Sequence, residues 1–127
     1  MTMPAAPLST LPRVDVLLTY QGAPGDLIRA AVDNGAAGIV IATAAGGTSG
    51  TQLEALRYAI SKRAVVVTAT RTGAGRVVPT GDPGRVLAVP GTLAAEDLTP
   101  IKARILLMLA LARNTDPREI QRMLREY

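Results

Sequence analysis

Between a short apolar run, "GIVIA" (Gly38 to Ala42), and a helix-like segment beginning at Thr51 lies the stretch "TAAGGTSG" (Thr43 to Gly50). Thr43, Thr48 and Ser49 bring hydroxyls to it. Its glycines let backbone N–H groups approach a carboxylate or a phosphate. The same residue types also make turns and cap helices, and the residues alone leave both roles open. The stretch is not a P-loop, because the Lys that would follow its last Gly is missing, and it does not fit G-x-G-x-x-G. Arg71 and Thr72 follow the next apolar run. Arg71 has the fork geometry to hold a carboxylate ligand, or to hold its own long loop by an ion pair. Thr48 as a nucleophile would need an adjacent base. The nearest in sequence, Glu54 and Lys62, fall on the following helix, so Thr48 does not read as a nucleophile. Asp15, inside the first apolar run, reads as a buried carboxylate with its partner satisfied.

These 127 residues contain no Cys and no His, which removes disulfides, thiolate catalysis, the common zinc sites and His-dependent triads from consideration. No cofactor and no metal is expected. The formal charge is +4. Part of the excess lies near the end of the chain, where Lys102, Arg104, Arg113, Arg118, Arg122 and Arg125 face Asp116, Glu119 and Glu126. There is no aromatic interleaving and no nucleic-acid motif, so this reads as a solvated helix face of mixed charge and no nucleic-acid partner is expected. The chain is 48% hydrophobic, too apolar for a disordered segment. No apolar run approaches the roughly 18 residues of a membrane-spanning helix, and "MTMPAAPLSTLP" lacks the charge and apolar core of a secretory signal. No membrane association and a cytoplasmic location are therefore expected. Phe and Trp are absent, so any core must be built from Ala, Val, Leu and Ile.

The elements that must position these side chains alternate. "VDVLLTY" (Val14 to Tyr20) is a β-rich run. "PGDLIRAAVDNG" carries Leu27, Ile28, Ala31 and Val32 at helical spacing, with Gly35 as a left-handed stop, for about three turns. "GIVIA" lacks polar alternation, as a strand covered on both faces does. "TQLEALRYAISK" is a second helix, with Thr51 and Glu54 at capping-box spacing. "AVVVTAT" (Ala64 to Thr70) is a third strand, "RTGAGRVVPTGDPG" a long loop, and "RVLAV" (Arg85 to Val89) a fourth strand. Thr99 and Pro100 then open a helix whose core, Ile105 to Ala112, is apolar nearly all round and should be buried on more than one side. Asp116, Pro117 and Glu119 open the last helix. Its stripe of Ile120, Met123 and Leu124 suits docking on the domain or on a neighbour.

Residues 1–12 read as a linker and residues 13–127 as one α/β domain. Its expected form is a three-layer α/β/α arrangement with a four-stranded parallel sheet, flavodoxin/Rossmann-like and connected right-handedly. In such sheets ligands bind beyond the carboxyl ends of the strands. Three loops share that edge: Gln21 to Gly25, Thr43 to Gly50 and Thr70 to Gly84.

Taken in order, "LPRVDVLLTYQGAPGDLIRAAVDNGAAGIVIATAAGGTSG", "VVVTATRTGAG" and "LTPIKARILLMLALARNTDPREIQRMLREY" resemble the smaller, C-terminal domain of bacterial-type L-asparaginases, from about Leu11 to Tyr127. The resemblance implies amidohydrolase ancestry: hydrolysis of L-asparagine to aspartate and ammonia through a Thr nucleophile and an acyl-enzyme. It implies an oligomer, with the catalytic threonines in a larger N-terminal domain in motifs like "TGGTIA" and "TDT". The C-terminal domain then adds supporting residues to a neighbouring subunit's site. The family's Ser, Thr or Asn in the loop after the second strand falls on Thr48, which would help recognise the substrate's charged amino-acid end. The family's Glu from the long loop contacts the substrate amino group. Here "RVVPTGDPG" offers only Asp82, one methylene shorter, and Ala45 stands where a loop Gly is common. The motifs "TGGTIA" and "TDT" do not occur in these residues. The resemblance thus implies a domain inactive alone, as a fragment, a truncated product or one half of a split enzyme with a separate N-terminal half. A different possibility is a free-standing amino-acid-binding or assembly module without catalysis. Surface that packs on the larger domain would be left open, so association is expected through the last two helices and the "LLTYQG" edge.

Overall fold

The computed structural model describes residues 11–20, 22–43, 51–70, 91–113 and 116–127. Four strands, β1 (Val14–Leu18), β2 (Gly38–Thr43), β3 (Val65–Thr70) and β4 (Leu93–Ala94), form one sheet in the order β1-β2-β3-β4. All three pairings are parallel. The helices are α1 (Asp26–Asp33), α2 (Thr51–Ser61), α3 (Pro100–Arg113) and α4 (Pro117–Glu126). This is the expected α/β architecture with its four-stranded parallel sheet.

The strand period of two divides the sheet's side chains between two cores. Ile39, Ile41 and Val66 pack with Ile28, Ala31, Ala55, Leu56 and Ala59 of α1 and α2. Val14, Val40, Val67 and Ala69 pack on the other side with Ala103, Leu106, Leu107 and Ala110 of α3 and with Ile120, Met123 and Leu124 of α4. Every residue of β2 is buried, which explains why "GIVIA" shows no polar alternation. Gly38 begins β2 where α3 comes closest: a Cβ there would lie 2.8 Å from Leu107 Cδ2.

The helix ends follow their sequence signals with some changes of partner. At the end of α1, Gly35 takes φ +94. Its N–H donates to Val32 O and the N–H of Ala36 to Ala31 O, both at 3.0 Å, which is the Schellman pattern. The end of α2 repeats the pattern without glycine. Arg63 sits at φ 65, donating to Ile60 O at 2.9 Å while Ala64 donates to Ala59 O at 3.0 Å. Asp116 caps α4, accepting from the N–H of Arg118 at 3.0 Å. Glu119, in the capping-box position, receives Arg122 at 2.8 Å, and Arg122 also reaches Glu126 at 2.8 Å. The mixed charge of α4 is thus paired along its own surface.

Three expectations change in detail. Helix α1 spans 8 residues, nearer two turns than three: it opens at Asp26, after Pro24 and Gly25, and Gly35 ends it as expected. The stretch Arg85 to Val89 lies outside the described residues, and β4 is described at Leu93–Ala94. Among the described residues it pairs with β3 at Val67 and Thr68. Its other contact comes from α4. The Gln121 carboxamide accepts from Ala94 N–H at 2.9 Å and donates to Ala94 O at 3.0 Å, copying a strand's hydrogen bonds. Helix α3 is buried between the sheet and α4 along Ala103, Leu106, Leu107 and Ala110. Its far side leaves Ile101 and Ile105 exposed at 61% and 51%. The apolar stripe of α4, open to two uses in the sequence, packs on the domain.

Candidate functional site

At the carboxyl edge of the sheet, β1, β2 and β3 end in threonine or are followed by it. Thr43 and Thr70 are register partners on β2 and β3. Thr19 follows β1, its N–H bonded to Ala42 O at 2.9 Å and its hydroxyl to the same oxygen at 3.4 Å. All three are buried, at 4%, 4% and 7% exposed for Thr19, Thr43 and Thr70. Thr43 shares its sheet face with Ile39 and Ile41, the face covered by α1 and α2.

The first turns of α1 and α2 open at this same edge, and they are joined. The N–H of Gly25, just before α1, donates to Thr51 Oγ1 at 3.1 Å. Thr51, expected to close a capping box with Glu54, therefore ties its helix to the loop before α1. The approach is tight enough to exclude any side chain: a Cβ on Gly25 would lie 2.5 Å from Thr51 O and 2.8 Å from Ala55 Cβ. The positive ends of two helices are held side by side, an arrangement that favours an anion.

Gln52 is buried at 3% and was not among the residues singled out from the sequence. Its signal was present in the spacing: Gln52, Ala55, Leu56 and Ala59 are the buried stripe of α2. A polar residue at the leading position of an inward stripe is a candidate for a site.

Thr43 is thus placed at the edge as expected. Thr48, Ser49, Arg71, Thr72, Asp82 and Ala45 lie outside the described residues. Asp15 is half-buried and satisfied, with Arg13 Nε and Nη2 each 3.0 Å from its carboxylate oxygens. That hydrogen bond first, and the opposite charge second, raise the pKa of Arg13. Arg13 also holds Asn34 O at 3.1 Å, at the amino edge of the sheet. Asp15 therefore braces the fold away from the carboxyl edge. Among the described residues no group of acidic side chains is arranged to hold a metal, and no helix is long and apolar enough to cross a membrane.

A cleft of about 810 Å³ opens at the opposite edge, among Ile60, Arg63, Val65, Leu93 and Leu111. It is mostly apolar, it lies at the amino ends of β3 and β4, and it contains none of the hydroxyl groups considered above; the one hydroxyl residue in its lining is Thr92. The ends of α2 and α3 and the start of α4, at Pro117, all reach it, so helix ends of both signs meet there. Size alone does not make it the better candidate.

Comparison with known proteins agrees with the geometry. The family model described as the glutaminase/asparaginase C-terminal domain matches residues 13–124. L-asparaginase 2 of Bacillus subtilis is 42% identical over 121 residues, covering 94% of this chain and 31% of that protein. A probable periplasmic L-asparaginase of Haemophilus influenzae is 34% identical, covering 94% and 34%. The crystal structure of a probable cytoplasmic L-asparaginase from Campylobacter jejuni superposes with a TM-score of 0.82 at 38% identity, covering 94% of this chain and 39% of that one. The chain thus spans about a third of the length of the curated relatives it matches. With its parallel sheet, its two helical layers and a match that runs nearly from end to end, the chain belongs to the glutaminase/asparaginase C-terminal domain family.

Proposed function

We propose that this chain acts as the smaller domain of an L-asparaginase-type amidohydrolase, which converts L-asparagine to L-aspartate and ammonia. In this proposal it supplies accessory substrate-binding residues, Thr48 and Asp82, and contacts for assembly. The observation that carries it is the family match over residues 13–124, set beside relatives named as asparaginases of which the chain covers about a third. The nucleophile belongs to the partner portion, since neither "TGGTIA" nor "TDT" occurs in these residues. The partner is a homo-oligomer's neighbouring subunit or a separate amino-terminal asparaginase half, and the ligand is asparagine or aspartate.

The anion-favouring edge between α1 and α2 supports a role in holding the charged end of an amino acid. The exposed apolar residues support assembly. Leu18 at the end of β1, Tyr20 just after it, and Ile101 and Ile105 on α3 are each more than half exposed. A cytoplasmic location is part of the proposal. Its support is the likeness to the Campylobacter jejuni protein, named as cytoplasmic, against the Haemophilus influenzae relative, named as periplasmic, and cell fractionation separates the two.

The test is ammonia release from L-asparagine. The purified chain alone is expected to release none above a no-protein control, and release is expected when an asparaginase amino-terminal domain is added. Release by the chain alone that disappears in Thr48→Ala would overturn the proposal.

A further inference from the structure

We propose that the Gln121 carboxamide closes the β4 edge of the sheet against strand addition by a second copy of this chain. The sheet has two edges, β1 and β4. An edge strand presents outward peptide groups that can pair with another chain. On β4 the inward pairing fixes which groups those are. The N–H of Ala95 donates to Thr68 O at 2.8 Å, and successive residues of a strand turn their peptide groups to opposite sides. The N–H and C=O of Ala94 therefore point out of the sheet. Gln121 of α4 meets both. Its Oε1 accepts from Ala94 N–H at 2.9 Å, and its Nε2 donates to Ala94 O at 3.0 Å. One side chain thus makes the two hydrogen bonds that an added strand would make with Ala94. Glu96 sets the orientation of the carboxamide, because the second Nε2 proton reaches Glu96 Oε2 at 3.5 Å. Flipped, the amide oxygen would face both Ala94 O and this carboxylate. Arg125, one turn along α4, holds the same carboxylate oxygen at 3.4 Å. Glu96 is buried and stands at φ 56, a conformation that a residue with a side chain adopts only when its surroundings hold it there.

The β1 edge differs, and the difference names the occupant. The N–H of Thr19 donates to Ala42 O at 2.9 Å, so Val14, Val16 and Leu18 turn their peptide groups outward. Val14 O accepts from Arg104 Nε at 2.8 Å. The outward groups of Val16 and Leu18 have no hydrogen-bond partner among the described residues. The sheet therefore has one open edge and one closed edge. All its pairings are parallel, so the β1 of a second copy laid beside β4 would continue it in the same sense. Such a contact joins unlike surfaces and leaves a free edge at each end, the geometry of open growth. Pairing of β4 with another β4 is the poorer alternative, since each is two residues long and turns only Ala94 outward. Gln121 gives the stretch "DPREIQ" a task that involves no ligand.

The test follows the 127-residue chain by static light scattering over a concentration series, with far-ultraviolet circular dichroism as the check on folding. The variants are Gln121→Ala and Gln121→Asn, whose amide falls one methylene short of Ala94. The wild type is expected to reach a constant mass. Both variants should stay folded and keep gaining mass without a plateau, the growth step strengthened about thirty-fold, the worth of two neutral hydrogen bonds. Adding Leu18→Pro should return both to the wild-type mass, because proline removes an outward N–H of β1 and no bond to β2. Leu18 is 64% exposed, so the ring meets solvent and not the core. In hydrogen exchange the Ala94 amide should be protected in the wild type, open in dilute Gln121→Ala and protected again in its assembled form. A constant mass in folded Gln121→Ala, or in Gln121→Asn where the alanine variant unfolds, overturns the inference. So does a plateau at a dimer, which β4 pairing with β4 would give, or unlimited growth by the wild type. Growth that Leu18→Pro leaves in place also overturns it, since β1 is then not the strand added. Unfolding of both variants overturns it too, because Gln121 would then hold the fold together and not guard an edge. None of these outcomes bears on ammonia release, so the functional proposal is tested separately.

Discussion

Gly25→Ala isolates the contact that sets the carboxyl edge. Gly25 has φ −83 and ψ 0, which alanine adopts without strain, so the substitution acts through space alone. The new methyl carbon would sit 2.5 Å from Thr51 O and 2.8 Å from Ala55 Cβ. Both belong to rigid parts of α2, a backbone carbonyl and a side chain with no rotamer. To bring the closer contact to 3.0 Å, the first turn of α2 must retreat by at least about 0.5 Å, still short of a relaxed contact. Overpacking of this kind costs about 1–3 kcal/mol. Lengthening the Gly25 N–H bond to Thr51 Oγ1, now 3.1 Å, costs about 1 kcal/mol more. Against this, alanine restricts the unfolded chain and returns about 0.4–1 kcal/mol. The expected net loss is about 2 kcal/mol, measured by urea unfolding at unchanged m-value, or a midpoint lower by about 6–10 °C in a thermal melt. Gly22→Ala is the control: it has φ +79 and nothing within 4 Å of its new Cβ, so it should lose about 1 kcal/mol through backbone strain and leave α2 in place. A Gly25→Ala variant within about 0.5 kcal/mol of wild type would refute the steric reasoning.

The two Schellman ends make opposite predictions. Gly35→Ala, at φ +94, should destabilise by about 1–2 kcal/mol, while Arg63→Gly, at φ 65, should be neutral or stabilise by up to about 1 kcal/mol in the same urea assay. Tyr58 donates to Asp33 Oδ1 at 2.6 Å. That bond first, then burial and the Asp33 charge, raise its pKa against the lowering effect of Arg29. Its stabilising effect is therefore complete below tyrosine's ordinary value of about 10 and is lost as pH rises through the higher folded value. Ultraviolet titration should show one late-ionising tyrosine that disappears in Tyr58→Phe and shifts down in Asp33→Asn. Light scattering at roughly tens of micromolar, where weak interfaces begin to dissociate, should find an oligomer that Ile105→Asp reduces in mass with little change in unfolding midpoint, since Ile105 is 51% exposed.

What the sequence made legible is what local physics decides. "GIVIA" and "AVVVTAT" are strands because both faces of each are covered. Pro100, Asp116, Pro117 and Gly35 mark helix ends through constraints that act within a few residues. What stayed hidden depends on contacts far apart in the chain. Strand β4 owes its hydrogen bonds to β3 and to Gln121, 27 residues from Ala94. The Thr51 hydroxyl went to Gly25, 26 residues away, over the capping box its own neighbourhood suggested. Helical spacing alone gave α3 apolar residues all round, and only the packed layers show that Ile101 and Ile105 face outward. For the site, Thr43 was legible as a hydroxyl in the loop after "GIVIA"; that it closes β2 opposite Thr70 was not. Gln52 was legible too, had the inward stripe of α2 been followed to its first residue.

The lack of Phe and Trp bears on the edge as well as on the core. The layer between α1, α2 and the sheet is filled by Ala31, Ala55 and Ala59 with isoleucine, leucine and valine. Small residues at helix contacts let the two backbones come close. Here they come close enough for a backbone N–H of one unit to bond the first residue of the next helix. A bulky aromatic at position 55 or 59 would hold the helices apart and separate the two positive helix ends that Gly25 and Thr51 now join. The same economy leaves less apolar volume per residue, and buried polar groups are costly in a core of that kind.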